Sequence, residues 1–275
     1  MRTIHLEDRV INQVLFHSAY DWARHEILKF RKNQALLKRK DELEAQFDQT
    51  LQLYFPRYEP YSISMGNQTV SVQLLDLSGK LNVNQLTEPR LERVVQACGV
   101  PEGLEQTRIV SSILDWIDTD SLHRAEGAEK EYYESLPTPY IPKNNPIETI
   151  EELLLIRGVS GDVFHGTSEH PGLKDFLTVH GQQEKMDINN AAPGCFAIVE
   201  SMSHEVVNAI IEFRREQRIW ELSDLTEVIP YELFSQAQEY FTVSSSETLR
   251  ITAGTARNGT VQEHPFVKDL YLGGS

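Results

Sequence analysis

The sequence predicts an α+β fold: a discontinuous domain of one long helix and antiparallel strands, interrupted by a large all-α insert. Three observations carry this. Residues from about 4 to 52 lack proline and glycine and are rich in strong helix formers. Two separate stretches, one after Tyr61 and one after Tyr240, alternate polar and apolar residues with a period of two. Between them, residues 82 to 237 read as almost wholly helical. Strands on both sides of a helical block place the block as an insertion into one sheet-bearing domain. The boundaries fall at 1–81 and 238–275 for the outer domain and at 82–237 for the insert.

In the first helix, Ile11, Val14, Leu15, Ala19, Trp22 and Ala23 recur at steps of three and four and stripe one face. The run Lys38-Arg39-Lys40-Asp41-Glu42 continues a solvated helix or marks a junction, and Pro56 and Pro60 end the helical region. Ile63, Met65, Val70, Val72 and Leu74 alternate with Ser62, Ser64, Thr69, Ser71 and Gln73. Gly66-Asn67 between the two runs predicts a hairpin, and Asp76 to Lys80 predicts a turn.

The insert opens with Thr87 as an N-cap and Pro89 in the first turn. Leu91, Val94 and Val95 face inward, followed by the stripe Ile109, Ile113, Trp116 and Ile117. Thr149 and Glu152 form a capping box whose helix stops at Gly158. Ser203 caps a helix carrying Val206, Val207, Ile210 and Ile211, and Ser223 opens a short one through Leu225 and Val228. Pro137 to Pro146 is an extended connector. Phe241-Thr242-Val243 and Thr248 to Ala253 then return to strand periodicity, and Asn258-Gly259 predicts a turn.

Charge narrows the function. Twenty-six basic against 41 acidic residues give a net charge of −15, with 40% hydrophobic residues to build a core. So acidic a surface repels nucleic acid and anionic membranes and suits divalent cations or basic protein surfaces. Cys98 and Cys195 show no metal-ligand spacing and are either buried free thiols or one long-range disulfide. No run of about 18 apolar residues occurs, so no transmembrane helix is predicted. No leader opens the chain. Its start, Met1 to His5, reads either as a cytosolic N-terminus or as the new end left by a removed segment.

No nucleophile elbow, Walker loop, dinucleotide fingerprint or HExxH is present. His165, His170 and His180 are spaced like structural or surface histidines, and Asp41-Glu42-Leu43-Glu44 reads as a solvated helix face. The segment Asp115-Trp116-Ile117-Asp118-Thr119-Asp120 is different. Counted from Asp118, acids at positions 1, 3, 9 and 12 (Asp118, Asp120, Glu126 and Glu129) match ligand positions of a twelve-residue calcium loop. Leu122 and His123 stand where an EF-hand needs an oxygen ligand and glycine, which leaves a looser oxygen site or a solvated acidic loop. Residues 187 to 229, and Leu154 to Val159, resemble helix-hairpin-helix units. The hairpin Glu200 to His204 lacks the glycine that would offer backbone N–H groups to phosphates. A helix-hairpin-helix nucleic-acid-binding protein is therefore the alternative function rather than the leading one.

Taken in order, several segments resemble the K-type minor pseudopilins of bacterial type II secretion systems, the GspK family. They are Asp76 to Asn84, Asp115 to Asp120, Gly127-Ala128-Glu129 with Tyr132-Tyr133, Pro139 to Asn144, Ile150 to Leu153, Arg157-Gly158-Val159 and Asp187 to Ala191. The resemblance covers about residues 75 to 230. It implies a pilin-like fold with a long N-terminal helix on an antiparallel sheet and an inserted α-domain. It implies a non-enzymatic role in protein secretion, at the tip of a periplasmic pseudopilus, in complex with I- and J-type minor pseudopilins and in reach of secreted substrates. It also implies an inner-membrane anchor through an N-terminal helix not seen in this sequence. Calcium in the α-domain comes from the family as well, with Asp118, Asp120 and Glu129 carried over by motif and Glu126 by spacing alone. Lys130 interrupts the acidic run where the family continues it. The stripe Ile11, Val14, Leu15 and Trp22 is longer than a small sheet needs and is expected to face partner pseudopilin helices.

Overall fold

The computed structural model describes residues 2–39, 54–181, 184–226, 228–257, 260–261 and 266–272. Helix α1 (Arg2–Leu37) fills the proline-free opening of the chain. Ala19, Ala23, Ile27 and Phe30 recur at steps of three and four, and all four are buried. The two alanines let the helix lie close on the sheet below. Ile11 and Val14 remain 46% and 61% exposed, while Leu15 and Trp22 are half-buried. The predicted apolar stripe thus runs past the surface that covers it. The run Asp41 to Glu44 lies outside the described residues.

Strands β1 (Arg57–Met65) and β2 (Gln68–Asp76) form the predicted hairpin, closing at Met65 opposite Gln68. Gly66 in the turn has φ +62°, a conformation that suits glycine. Tyr61, Ile63, Val70, Val72 and Leu74 face α1, and the intervening serines and Gln73 do not. The next strands are β3 (Leu81–Asn82), β4 (Leu177–Thr178), β5 (Met186–Asp187) and β6 (Phe241–Thr242). They are followed by β7 (Thr248–Arg257), β8 (Thr260–Val261) and β9 (Phe266–Tyr271). The main sheet runs β1-β2-β7, and both β8 and β9 pair with β7. Asp76 lies opposite Leu249 and Ala253 opposite Phe266, all antiparallel. Residues separated by about 170 positions therefore share one sheet against the N-terminal helix, as the sequence order predicts. The expected strand at 241–243 departs from this. Phe241 and Thr242 pair in parallel with Met186 and Asp187, away from the main sheet. Alternation along a strand identifies the strand but not its neighbour. The Asn258-Gly259 turn lies outside the described residues.

A second core runs in sequence from Leu81 to Phe241. It is built by helices α2 (Glu88–Ala97), α3 (Leu104–Ile117), α4 (Lys130–Glu134), α5 (Gly161–His165), α6 (Leu173–Phe176), α7 (His204–Glu216) and α8 (Tyr231–Tyr240). The block is less purely helical than its periodicity suggests. The helix predicted after the Thr149 cap, Ile150–Leu155, is a 3-10 turn, with Glu152 accepting from the Thr149 N–H at 3.0 Å. Ser203 caps α7 through the Val206 N–H. The connector from Pro137 to Pro146 holds no regular element. Cys98 and Cys195 are free thiols buried in this core, which settles the choice between thiols and disulfide.

A buried polar seam joins the two cores. Arg214 on α7, fully buried, donates to both Glu59 carboxylate oxygens on β1 and to the carbonyls of Ile188 and Ala191. Asn190 accepts from the Asp76 N–H at 2.9 Å and donates to Asp187 at 2.5 Å, and the Asn189 side-chain amide donates to the Ile219 carbonyl and accepts from the Ile219 N–H. A side chain at Gly79 would meet the Asn190 carbonyl at 2.4 Å, so only glycine admits this approach.

Candidate metal centre

The site grows out of the C-terminal end of α3. Ile109, Val110, Ile113 and Trp116 bury one face of the helix, and Trp116 packs edge-on against Tyr133 at 5.3 Å. Asp118 is the C-cap, its N–H bonded to the Leu114 carbonyl. That bond turns the chain out of the helix into the acidic loop. Asp115, one turn earlier, is fully buried. It accepts from the Arg124 backbone N–H at 3.2 Å and from the Arg124 guanidinium at 2.7 Å. The same guanidinium nitrogen reaches Asp118 at 2.6 Å. Gly127 is locked under this pair, since a Cβ there would fall 1.9 Å from an Asp115 carboxylate oxygen. Glu129 then precedes α4, where its carbonyl accepts from Tyr132.

Asp118, Asp120 and Glu129 come together, each offering a carboxylate oxygen within 4.8 Å of the others. Glu126 does not join them. Its backbone lies in the left-handed region at φ +63°, and its carboxylate pairs outward with Arg108 at 3.2 Å. Spacing along a twelve-residue loop presumes that the loop wraps an ion in the EF-hand manner, and this loop is folded on Asp115 and Arg124 instead. In place of Glu126 the structure brings in Asn144, from the proline-rich connector. Its amide donates to the Asp120 carbonyl at 2.6 Å and to Glu129 at 3.0 Å. Neighbouring bonds hold the connector in place, from the Asn145 N–H to the Trp116 carbonyl and a reciprocal pair between Asn84 and the Ile147 backbone. Nothing in the local sequence couples Asn144 to an acid 24 residues away; its place at the end of the Pro139–Asn144 segment is the only signal.

Three oxygens at this place, Asp118 Oδ1, Glu129 Oε1 and Asn144 Oδ1, are shielded from solvent and have no hydrogen-bond partner. Orphaned buried acceptors are costly. Glu129 is only 2% exposed, and its carboxyl is pushed above the usual range, chiefly by burial. The Asn144 hydrogen bond opposes this rise, and the charges of Asp115, Asp118 and Asp120 add to it. A cation held among Asp118, Asp120 and Glu129 would pair with these buried carboxylates and reverse the repulsion. The donors are all hard oxygens, which fits calcium and not zinc, because neither His nor Cys belongs to the group. His165 and His170 are exposed elsewhere. In the helix-hairpin-helix-like unit at 187 to 229, Arg214 is consumed by Glu59 and two carbonyls.

Comparison with known proteins brings in the same region. Residues 72–168 match the family model of type II secretion system protein K, a span that contains every member of the acidic site. Type II secretion system protein K of Pectobacterium carotovorum subsp. carotovorum is 37% identical over 57 residues, which is 21% of this chain and 17% of that protein. The putative type II secretion system protein K of Escherichia coli K12 is 30% identical over 127 residues, 42% of this chain and 38% of that one. The chain thus spans well under half the length of the curated relatives it matches. In fold it is similar to a chain in the crystal structure of the GspK-GspI-GspJ complex from the enterotoxigenic Escherichia coli type 2 secretion system. That similarity has a TM-score of 0.52 at 16% identity and covers 95% of this chain and 92% of the other.

Proposed function

We propose, from the match of residues 72–168 to the type II secretion system protein K family model, that this chain is a minor pseudopilin. It acts as a structural and assembly part, not as an enzyme. Its place is at the tip of the pseudopilus, facing the periplasm, in complex with I- and J-type minor pseudopilins. In this reading a helix preceding α1 anchors it in the inner membrane; among the described residues no helix is long and apolar enough to cross one. Residues 1–81 and 238–275 form the pilin-like domain and 82–237 the insert. The observation that carries the assembly role is the face of α1 that the sheet leaves bare. Ile11 and Val14 stay exposed on a helix that buries Ala19, Ala23, Ile27 and Phe30 further along, and such a stripe is satisfied by packing on another helix. Leu15 and Trp22 border the same face. Reconstitution with I- and J-type partners tests this. Charged substitutions at Ile11 and Val14 should weaken co-assembly at least tenfold while the circular dichroism of the insert is unchanged. Assembly at wild-type strength would count against the interface.

The insert holds calcium in the same proposal, through Asp118, Asp120 and Glu129, with Asn144 as a fourth oxygen donor and Glu126 outside the site. Bound there, calcium supplies positive charge that neutralises the carboxylates. The residues themselves join the end of α3, the loop and the proline-rich connector at one point. Calcium should therefore raise the melting temperature by mass action. Identical midpoints in millimolar calcium and in chelator, with no binding heat, would remove the site from the proposal.

A further inference from the structure

The four clustered carboxylates of the insert already have one cation among them, and it belongs to the protein. Arg124 Nη1 bridges Asp115 at 2.7 Å and Asp118 at 2.6 Å. Asp115 is fully buried, and among the described residues no other cation pairs with it. The neighbouring cations are engaged elsewhere: Lys130 with Glu134, Lys143 with Glu148 and Glu152, and Arg108 with Glu126. The Arg124 side chain is 39% exposed, so its inner edge lies on the acids and its outer edge in water. Asp118 is divided between two directions. Its Oδ2 is held by the guanidinium and its Oδ1 has no partner, and the residue is one of the acidic trio.

Resting on the calcium reading above, we propose that Arg124 is a built-in counter-cation that sets the affinity of the site. It shares Asp118 with the metal. Two like charges on opposite oxygens of one carboxylate repel, and by reciprocity each weakens the other's hold by the same factor. Without calcium the guanidinium neutralises Asp115 and Asp118 and keeps the loop folded. With calcium its contact with Asp118 loosens and the side chain leans towards solvent. The consequence of this arrangement is weaker binding, so the site fills only where calcium is abundant. Removing one positive charge at this range should tighten calcium binding roughly tenfold in dilute salt.

The test is calorimetric titration of the whole chain with calcium chloride, comparing wild type with Arg124→Gln, which keeps an amide donor but no charge. The expected result is roughly tenfold tighter binding by the variant. Its midpoint in chelator should also be lower, with the difference narrowing as calcium is added. Arg124→Lys keeps the charge and should bind within about twofold of wild type; a gain as large as that of Arg124→Gln would overturn the charge argument. Equal or weaker binding by a folded Arg124→Gln would overturn the inference while leaving the calcium site standing. No binding heat in wild type or variants would remove the calcium reading itself. Should Arg124→Gln not fold without calcium, wild type decides. Phenylglyoxal modification of Arg124, located by mass spectrometry, should speed up several-fold on adding calcium, and an unchanged or slower rate would refute the proposal.

Discussion

Asp187 has no side-chain exposure at all, yet it carries a carboxylate. Burial pushes that carboxyl up to about 6, against the pull of Arg218 and the amides of Asn190 and Asn189. The sign comes from linkage. Between about 6 and the ordinary carboxyl value the folded protein binds more protons at this position than the unfolded chain, so stability from Asp187 rises as pH falls through that window. Asp187→Asn does not titrate. Between pH 7 and pH 4 the unfolding free energy of wild type should gain on that of the variant by on the order of 3 kcal/mol. A constant difference by urea titration would contradict the burial argument. Gly127 is the other residue on which local geometry turns. Gly127→Ala drives a methyl into Asp115 and should cost roughly 2–4 kcal/mol of stability in the same measurement. At this scale the site was partly legible. Asp118, Asp120 and Glu129 could be picked by type and spacing because they sit on one short loop. The double bridge of Arg124 could not be read, since it reaches Asp115 nine residues back as well as Asp118. Glu126 was misplaced because spacing carries no information about φ.

Elements were easier to read than sites, because their signals are local and repeated. The hairpin at Gly66-Asn67 needs only alternation and a turn residue, and it forms as predicted. Helix α1 needs only the absence of breakers. What local pattern could not give was pairing: Phe241 and Thr242 read as a strand of the main sheet but align with Met186 and Asp187. Nor could it say where the stripe on α1 stops being covered. Ala23 marks the covered part, with no exposure. Ala23→Leu should pry the helix from the sheet and cost about 1–3 kcal/mol, read as a lower denaturation midpoint at unchanged slope. A comparable Ala→Leu change at the more accessible Ala35 should be near neutral, and equal penalties at both positions would mean that close approach is not what Ala23 provides.

For the whole molecule the question is how two cores behave as one body. The Arg214–Glu59 pair is buried on both sides, so breaking it by Arg214→Ala should cost about 3–5 kcal/mol. The loss falls on the seam rather than within either core, and calorimetry should show one cooperative transition in wild type separating into two. A single, merely lowered peak would mean that the seam is dispensable for coupling. The division into sheet-bearing and helical parts was visible in the sequence order, but the seam was not. Its members come from Glu59, Asp76, the 187–190 turn and Arg214, and only folding shows that they meet.

The helical block leaves the sheet after Asp76 and returns before Leu249, and those two residues face each other across adjacent strands. The chain therefore enters and leaves the block at one place on the sheet, but the block is gripped again by the Arg214–Glu59 pair on β1 and by Trp220 stacked on Phe30 of α1. A pull applied along α1 and resisted at the far edge of the sheet crosses from strand to strand by lateral hydrogen bonds and reaches the block through these grips. The helical block thus shares the load instead of riding free of it.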